Sequence, residues 1–581
     1  MTVGDSTVDY DVVVIGSGFG GSVTALRLVE KGYRVGVLEA GRRFSDDEFA
    51  ENSWHLRKYL WAPKLGCFGI QRMTLLKNTF LTSGAGVGGG SLTYANTLYE
   101  PPAAFFKDTQ WGHLTDWQSE LAPHYDQAKR MLGVTTNPVT TPSDDVLREV
   151  ADEMGVGSTY RRTPVGVFFG PNDAKPGQSV ADPFFGGVGP ERKTCINCGE
   201  CLTGCRHGAK NTLVKNYLYL AEKAGAKVHP LTTATAVRPL DDGRYAVDTI
   251  RTGRWVKKQR QTFTADDVVF AAAALGTQRL LHRLRDTKVL PNISPRLGEL
   301  TRTNSEAIVA ARSRRRDDDF SKGVAITSSI HPDAVTHIET GRFGGRGSNF
   351  MYLLFTFMVD PVKGIPRWLL ALRGYVRNRR DLIRTHLPAR ASEQTVGLLV
   401  MQTLDNSLTT YTKRGLFGRR MTTKQGAGQP NPTSIPVANQ VARRIAGKID
   451  GVPQGSVTEL PLADASFDLV CCFKVLAHVE AIEQALGEFS RVLRPGGRML
   501  VEFYNPLSLR YLIKRLKSPS LISERTNDEA VFTRYDSLDR IRGYLPQDVT
   551  LETVRGIRVV TPVSYAHRIP VVGQALRVIE R

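Results

Sequence analysis

The most constraining feature of this 581-residue chain lies near its start, where Tyr10-Asp11-Val12-Val13-Val14-Ile15 runs straight into Gly16-Ser17-Gly18-Phe19-Gly20-Gly21. A short run of β-formers without polar alternation suits a parallel strand buried on both faces. A helical segment follows from Ser22 to Lys31, with Val23, Leu26 and Leu28 on its apolar side. Gly32 ends it, and a second strand from Arg34 to Leu38 finishes at Glu39. Each position has a physical reason. Gly16 permits the tight turn, Gly18 lets backbone approach a pyrophosphate, and Gly21 lets helix pack close on strand. The free N–H groups of the helix N-terminus then face the phosphates. Glu39 stands roughly 20 residues on, where an acidic side chain takes the adenosine ribose hydroxyls. Together these features point to a dinucleotide site, and the motif alone leaves FAD and NAD both open.

A second, denser glycine loop runs from Ser83-Gly84-Ala85-Gly86-Val87-Gly88-Gly89-Gly90-Ser91 to Asn96. Several small residues in a row let backbone come close to a bulky planar group and its phosphates. This loop resembles the first signature of the glucose–methanol–choline (GMC) oxidoreductases, flavoproteins that oxidise alcohols. The stretch from Val268 to Leu281 resembles their second signature, a strand and turn that return to the flavin domain. The stretch from Val228 to Val237 resembles the strand whose backbone meets the adenine, with Ala234 near that contact. The resemblance implies FAD, held by Gly16, Gly18, Gly21, Glu39, Gly86, Gly88, Gly89, Gly90, Ser91, Asn96 and Ala234. Three positions depart from the pattern. Ala85 stands where a positive residue is frequent, Asn96 is the nearest candidate for a displaced asparagine, and Ala273 replaces an expected glycine.

Within that family the chain most resembles the cholesterol oxidase branch of mycobacteria and related actinobacteria. The carrying stretches are Glu39 to Phe44, Gly88 to Tyr99, Phe184 to Gly187, Arg206 to Thr212 and Val324 to Ile330, and the resemblance covers about the first 450 residues. It implies a sterol substrate and oxygen as acceptor: the 3β-hydroxyl loses its proton to a base while C3 passes a hydride to the flavin. Moving the ring double bond as well needs a carboxylate that shuttles a proton at near-neutral pKa. Glu339, in the alternating His337-Ile338-Glu339, is the candidate, and Glu306 is its rival. A surface or capping carboxylate is the plain alternative for either. The resemblance also implies a histidine ahead of a glycine pair and an asparagine in a Gly-Val-Asn-Pro-like stretch, both near the C-terminus. Neither is found. The histidines after residue 400 are His478 and His567, and Asn505-Pro506 lacks the preceding glycine and valine. Impaired catalysis is therefore expected.

Four of the seven cysteines crowd into Cys195-x-x-Cys198-x-x-Cys201-x-x-x-Cys205, the spacing of a bacterial ferredoxin half. An iron–sulfur cluster, a zinc tetrathiolate and packed free thiols all remain open. The formal charge of +20 fits nucleic acid, an anionic membrane face or solubility. No helix–turn–helix, zinc-finger or aromatic RNA-binding signature accompanies it, so nucleic acid is not expected. Basic residues concentrate at Arg312–Arg316 and at 367–390, the latter among Ile365, Trp368, Leu369, Leu370, Leu372, Tyr375 and Val376. That reads either as a peripheral contact with anionic lipid or as a helix with a solvated basic face. No signal peptide and no membrane-length apolar run is seen, so a cytoplasmic address is expected.

After Gly451 the character changes. The segment from Glu459 to Cys472 reads as a turn into a buried strand, 475–485 and 486–493 as helical, and Arg494–Arg498 as a tight turn before a strand from Met499 to Phe503. This resembles the middle of a class I S-adenosylmethionine-dependent methyltransferase, without the first strand and glycine loop that hold the methionine moiety. Methyl transfer is therefore not expected. Both parts read as cut at one seam near Val452 to Ser456. The expected fold is α/β: an FAD-binding Rossmann-like domain over 1–300 with substrate-domain insertions, a sheet-based substrate domain over 301–451, and a partial doubly wound methyltransferase-like segment over 456–581. The alternatives are another FAD-dependent alcohol oxidoreductase and an inactive fusion remnant.

Overall fold

The computed structural model describes residues 8–456, apart from 78, 255–257, 345–351, 353, 361–366, 379–380, 382–389, 416–417 and 433, and then 467–472, 482–506, 521–523, 526–527 and 534–554. The chain divides into two compact units, Met1–Leu460 and Pro461–Arg581.

In the first unit the initial strand, β1 (Tyr10–Ile15), lies inside a six-stranded sheet. It pairs in parallel with β2 (Val35–Leu38) on one side and with Arg260–Phe270 on the other. Lys227–His229 adds a further parallel strand beyond β2, and Tyr245–Arg251 and Thr232–Pro239 extend the far side antiparallel. Val12 and Val14 pack with Ala25, Leu26 and Val29 of helix α1 (Phe19–Val29), while Val13 and Ile15 pack with Leu280 and Leu284 from the helix Ala273–Asp286. Both faces of β1 are thus covered, which is why its sequence is apolar without alternation. The observed helix starts three residues earlier than expected, because Gly18 caps it with extended backbone and Phe19 already turns.

A second sheet of seven strands runs in the order Phe355–Phe357, Gly451–Ser456, Ala307–Ser313, Thr395–Gln402, Thr336–Gly341, Ile326–Ile330, Arg161–Arg162. All its pairings are antiparallel. Helices Pro142–Glu153 and Pro436–Lys448 cover one face, where Leu147, Val150, Val441 and Ile445 meet Val309, Ile338, Leu398 and Val400. Alternation along each strand sends the odd-numbered His337 and Glu339 to the opposite face. The strand Gly451–Ser456 pairs with Ala310–Ser313, so the stretch read as a seam folds with the first unit.

In the second unit, Phe467–Cys472 and Leu493–Val501 form a parallel pair joined through the helix Ile482–Val492. Ile482 and Leu486 of that helix are buried against Met499, Val501 and Phe503. Arg494–Gly497, expected as a turn ahead of the strand, lies inside it instead. The register passes from Phe467↔Leu493 to Leu469↔Arg498, with Gly496 at φ +79°, so the Pro-Gly-Gly run is accommodated as a bulge. All of Glu459–Ser466, most of 475–485, and both His478 and His567 lie outside the described residues. Among the described residues no helix is long and apolar enough to cross a membrane.

Candidate functional site

The two glycine loops come together over the end of β1. Gly16 has φ +108°, and a Cβ there would lie 2.4 Å from the carbonyl oxygen of Ala271; one on Gly21 would lie 1.9 Å from that of Gly16. No larger residue fits this strand–turn–helix junction. Helix α1 has no side-chain cap, which leaves its first N–H groups for a ligand. Gly86, Gly88 and Gly89 all have positive φ, and Gly89 packs on Gly18 so closely that a Cβ would reach its Cα at 2.7 Å. Gly90 and Ser91 continue this loop as a turn over Gly89–Leu92, where Ser91 Oγ donates to Gly88 O (2.7 Å) and accepts from Leu213 N (3.0 Å).

Glu39 is buried at the junction of the two loops. Its carboxylate accepts from Ser17 N (3.2 Å), Ser17 Oγ (2.7 Å) and Gly41 N (2.8 Å), while Ser17 Oγ accepts from Gly88 N (3.0 Å). A carboxylate offers about four acceptor sites, so capacity remains for a ribose hydroxyl. The strand bearing Ala234 is tied to the same segment, since Thr232 N donates to Glu39 O and Leu231 N to Gly41 O, each at 2.8 Å. The cradle that only glycine fills, the uncapped helix and the acid with spare acceptor capacity fit a flavin dinucleotide. Ser17 was missed in the sequence because its role depends on Gly88, 71 residues away.

Glu339 lies on the open face of the seven-stranded sheet, in a cross-strand row with Leu399 and Ile308. It is 2% exposed whereas Ile308 is 39% exposed, so an acid sits recessed in an apolar surface. Its Oε1 has no hydrogen-bond partner. Burial pushes the carboxyl up to about 7, opposed by a hydrogen bond from Tyr99 and reinforced by Glu306. Glu306 keeps solvent contact at the strand's start, and the protein around it also raises its carboxyl, against a hydrogen bond from Asn304. Tyr99 follows the second glycine loop directly and stacks edge-on with His337 (5.2 Å), which itself stacks on His331 (4.5 Å). Burial lowers His337 to about 4, so it is neutral here at ordinary pH. The structure thus joins Glu339 and Glu306 in one site, with Tyr99 reaching it from the glycine loop.

Cys195, Cys198, Cys201 and Cys205 line a single cavity and form no disulfide. Asn96 lies beside them, fully buried at φ +74°, with its side chain against the Cys201 thiol. Of the basic amphipathic stretch, Arg367–Arg377 is a helix with Leu372 and Val376 exposed one turn apart; Ile365 and the side chains of Trp368 and Leu369 lie outside the described residues.

A family model described as an FAD dependent oxidoreductase matches residues 11–350. One described as a methyltransferase domain matches residues 429–501, a range that crosses the division between the units. The chain is 60% identical over 460 residues to a cholesterol oxidase of Mycobacterium tuberculosis (strain ATCC 25618 / H37Rv), covering 78% of this chain and 79% of that protein. It is 43% identical over 465 residues to a cholesterol oxidase of Acinetobacter baumannii, covering 79% and 83% respectively. A GMC-type oxidoreductase of the same M. tuberculosis strain is 29% identical over 385 residues, covering 63% of this chain and 52% of that protein. With the glycine loops and the acid at β2 in place, these matches settle the assignment: the chain belongs to the glucose–methanol–choline family of FAD-dependent oxidoreductases.

Proposed function

We propose that this chain carries the apparatus for oxidising a 3β-hydroxysterol to its ketone, with migration of the ring double bond, and that its own turnover is impaired. The observation that carries the reading is Glu339, a recessed carboxyl near pKa 7 with one free oxygen, set in an apolar sheet face beside Tyr99, three residues past the glycine loop. When bound, FAD would supply the acceptor for the hydride that leaves the alcohol carbon. Gly16, Gly18 and Gly21 would hold its pyrophosphate at the helix N-terminus, Glu39 would take a ribose hydroxyl, and Ala234 would lie by the adenine. The loop of Gly86, Gly88, Gly89, Gly90 and Ser91 seats the ring system.

Glu339 then takes a proton from one ring carbon and returns it to another, which a carboxyl titrating near 7 does in both directions at neutral pH. Burial supplies that pKa, as a water-exposed acid would titrate near 4.5 and hold the proton poorly. Ile308 and Leu399 give the steroid an apolar bed. The similarity to two cholesterol oxidases supports the substrate class, and oxygen is the acceptor that goes with it.

The histidine and asparagine that would handle the hydroxyl proton have no counterpart in the sequence, which supports the impairment. Replacing the residues after 456 with the corresponding segment of a cholesterol oxidase is expected to restore turnover on cholesterol. A repaired chain that holds FAD yet oxidises other alcohols and not sterols would overturn the sterol reading in favour of another alcohol oxidoreductase. Leu372 and Val376 beside Arg373 further support peripheral contact with an anionic membrane, the surface from which a sterol is drawn. Sedimentation with anionic liposomes should fall as salt rises, and salt-independent or absent binding would refute it.

A further inference from the structure

The four clustered cysteines take no part in the reaction proposed above, yet they share one wall. We propose that Cys195, Cys198, Cys201 and Cys205 ligate a single four-iron, four-sulfide cluster. The spacing is that of an iron–sulfur ligand run. In two-cluster proteins the fourth cysteine of such a run serves a different cluster, but here Cys205 lines the same cavity as the other three. A lone zinc with Zn–S near 2.3 Å would draw four sulfurs to within about 3.8 Å of one another. Among the described residues no three of these thiols lie mutually within 4.8 Å, so they are not drawn together as a lone zinc would hold them.

The surrounding charges make the same case. Lys210 is 1% exposed, and its Nζ donates only to Leu92 O and Cys201 O, each at 2.9 Å. Arg192 is 2% exposed and bonds to the carbonyls of Gly208, Ala209 and Lys210 and to the side-chain oxygen of Asn211, with no carboxylate among them. Buried cations without an anion are strongly disfavoured. A cluster with four thiolates, carrying about −2, would add an anion beside Lys210 and Arg192, the latter already acted on by Asp46 and Asp182.

Two polar groups are also aimed at sulfur. Asn197 N donates to Cys195 Sγ at 3.4 Å. The Asn96 amide, 0% exposed, has no hydrogen-bond partner other than the Cys201 thiol it lies against. Donors to the sulfurs are what such clusters use to set their properties. The bridge of Lys210 between Cys201 and Leu92 places the cluster next to the glycine loop that seats the flavin.

The competing metal reading is a small site of Cys198, Glu200 and His207, whose ligand atoms do lie within 4.8 Å of one another. Glu200 is committed there to an ion pair with Arg206 at 2.7 Å.

The test is to purify the full chain anaerobically, reconstitute it with ferrous iron and sulfide, and count iron, acid-labile sulfide, zinc and FAD. About four iron and four sulfide per chain are expected, with a paramagnetic signal after dithionite reduction. Cys198→Ser and Cys201→Ser are expected to lose iron about fivefold or more, while Cys67→Ser, outside the cavity, keeps it. Zinc at one per chain without iron, four thiols that titrate freely in the reconstituted chain, or equal iron loss in Cys67→Ser would each overturn the proposal. These counts need no sterol, so they stand apart from the substrate reading.

Discussion

Replacing Glu339 by Gln tests whether burial holds this carboxyl near neutral pKa. The group titrates near 4.5 when unfolded and near 7 in the fold. Its neutral form is therefore the one the fold prefers, and ionisation costs stability as pH rises through that window. The full gap of about 2.5 units corresponds to ~3 kcal/mol at 1.36 kcal/mol per unit. At pH 5 most of the penalty is still absent in the parent, whereas at pH 8 nearly all of it is expressed. Glutamine is neutral throughout, so the variant should gain about 2–3 kcal/mol relative to the parent between pH 5 and pH 8. Denaturant titrations of both proteins at the two pH values, followed through the first unit's tryptophan fluorescence, read this double difference. An equal offset between parent and variant at both pH values would mean that Glu339 titrates as an ordinary surface acid, and its role as proton shuttle would fall with it.

Other consequences follow from single positions. Ala273 sits at φ +55°, where the family pattern expects glycine, so Ala273→Gly should stabilise the first unit by about 0.5–1 kcal/mol in the same titration; destabilisation would refute the strain argument. Ser17→Ala leaves the Gly88 N–H without its partner and removes one of the three hydrogen bonds to the Glu39 carboxylate, a penalty of about 1–3 kcal/mol. FAD should then be lost roughly tenfold more readily on dialysis, and unchanged retention would show that Ser17 only packs. Gly21→Val drives a side chain into the Gly16 carbonyl and should give a chain that carries no flavin. In the chain with its C-terminal segment restored, Glu339→Gln should still form the ketone but leave the double bond in place, as separated by the product's ultraviolet absorbance. Full isomerisation there would reassign the shuttle to Glu306.

The parts legible in the sequence are those whose physics is local. The strand, glycines, helix and acid from Tyr10 to Glu39 lie within one βαβ-type turn of chain, so spacing alone locates them. Glu339 was legible because the alternation of His337, Ile338 and Glu339 separates the helix-covered face from the open one. Tyr99 and Ser17 were not, since each acquires its role from a partner far along the chain. Val452–Ser456 reads as a seam between two parts, and Pro453 and Gly455 disfavour a central strand there. Pairing with Ala310–Ser313 and Phe355–Phe357 overrides that preference, and no local pattern announces it. The Pro-Gly-Gly run after Leu493 was read as a turn for the same reason, and the structure absorbs it as a bulge within a parallel strand.

The most direct test of the account is the visible spectrum of the purified full-length chain before and after anaerobic addition of cholesterol. The account expects a bound flavin whose band shifts as sterol enters the face around Glu339 but does not bleach, because the residues that handle the hydroxyl proton are missing. Bleaching at a catalytic rate would contradict the impairment and show that this chain completes the oxidation with the residues it has. A purified, folded chain without any flavin band would contradict the dinucleotide site itself.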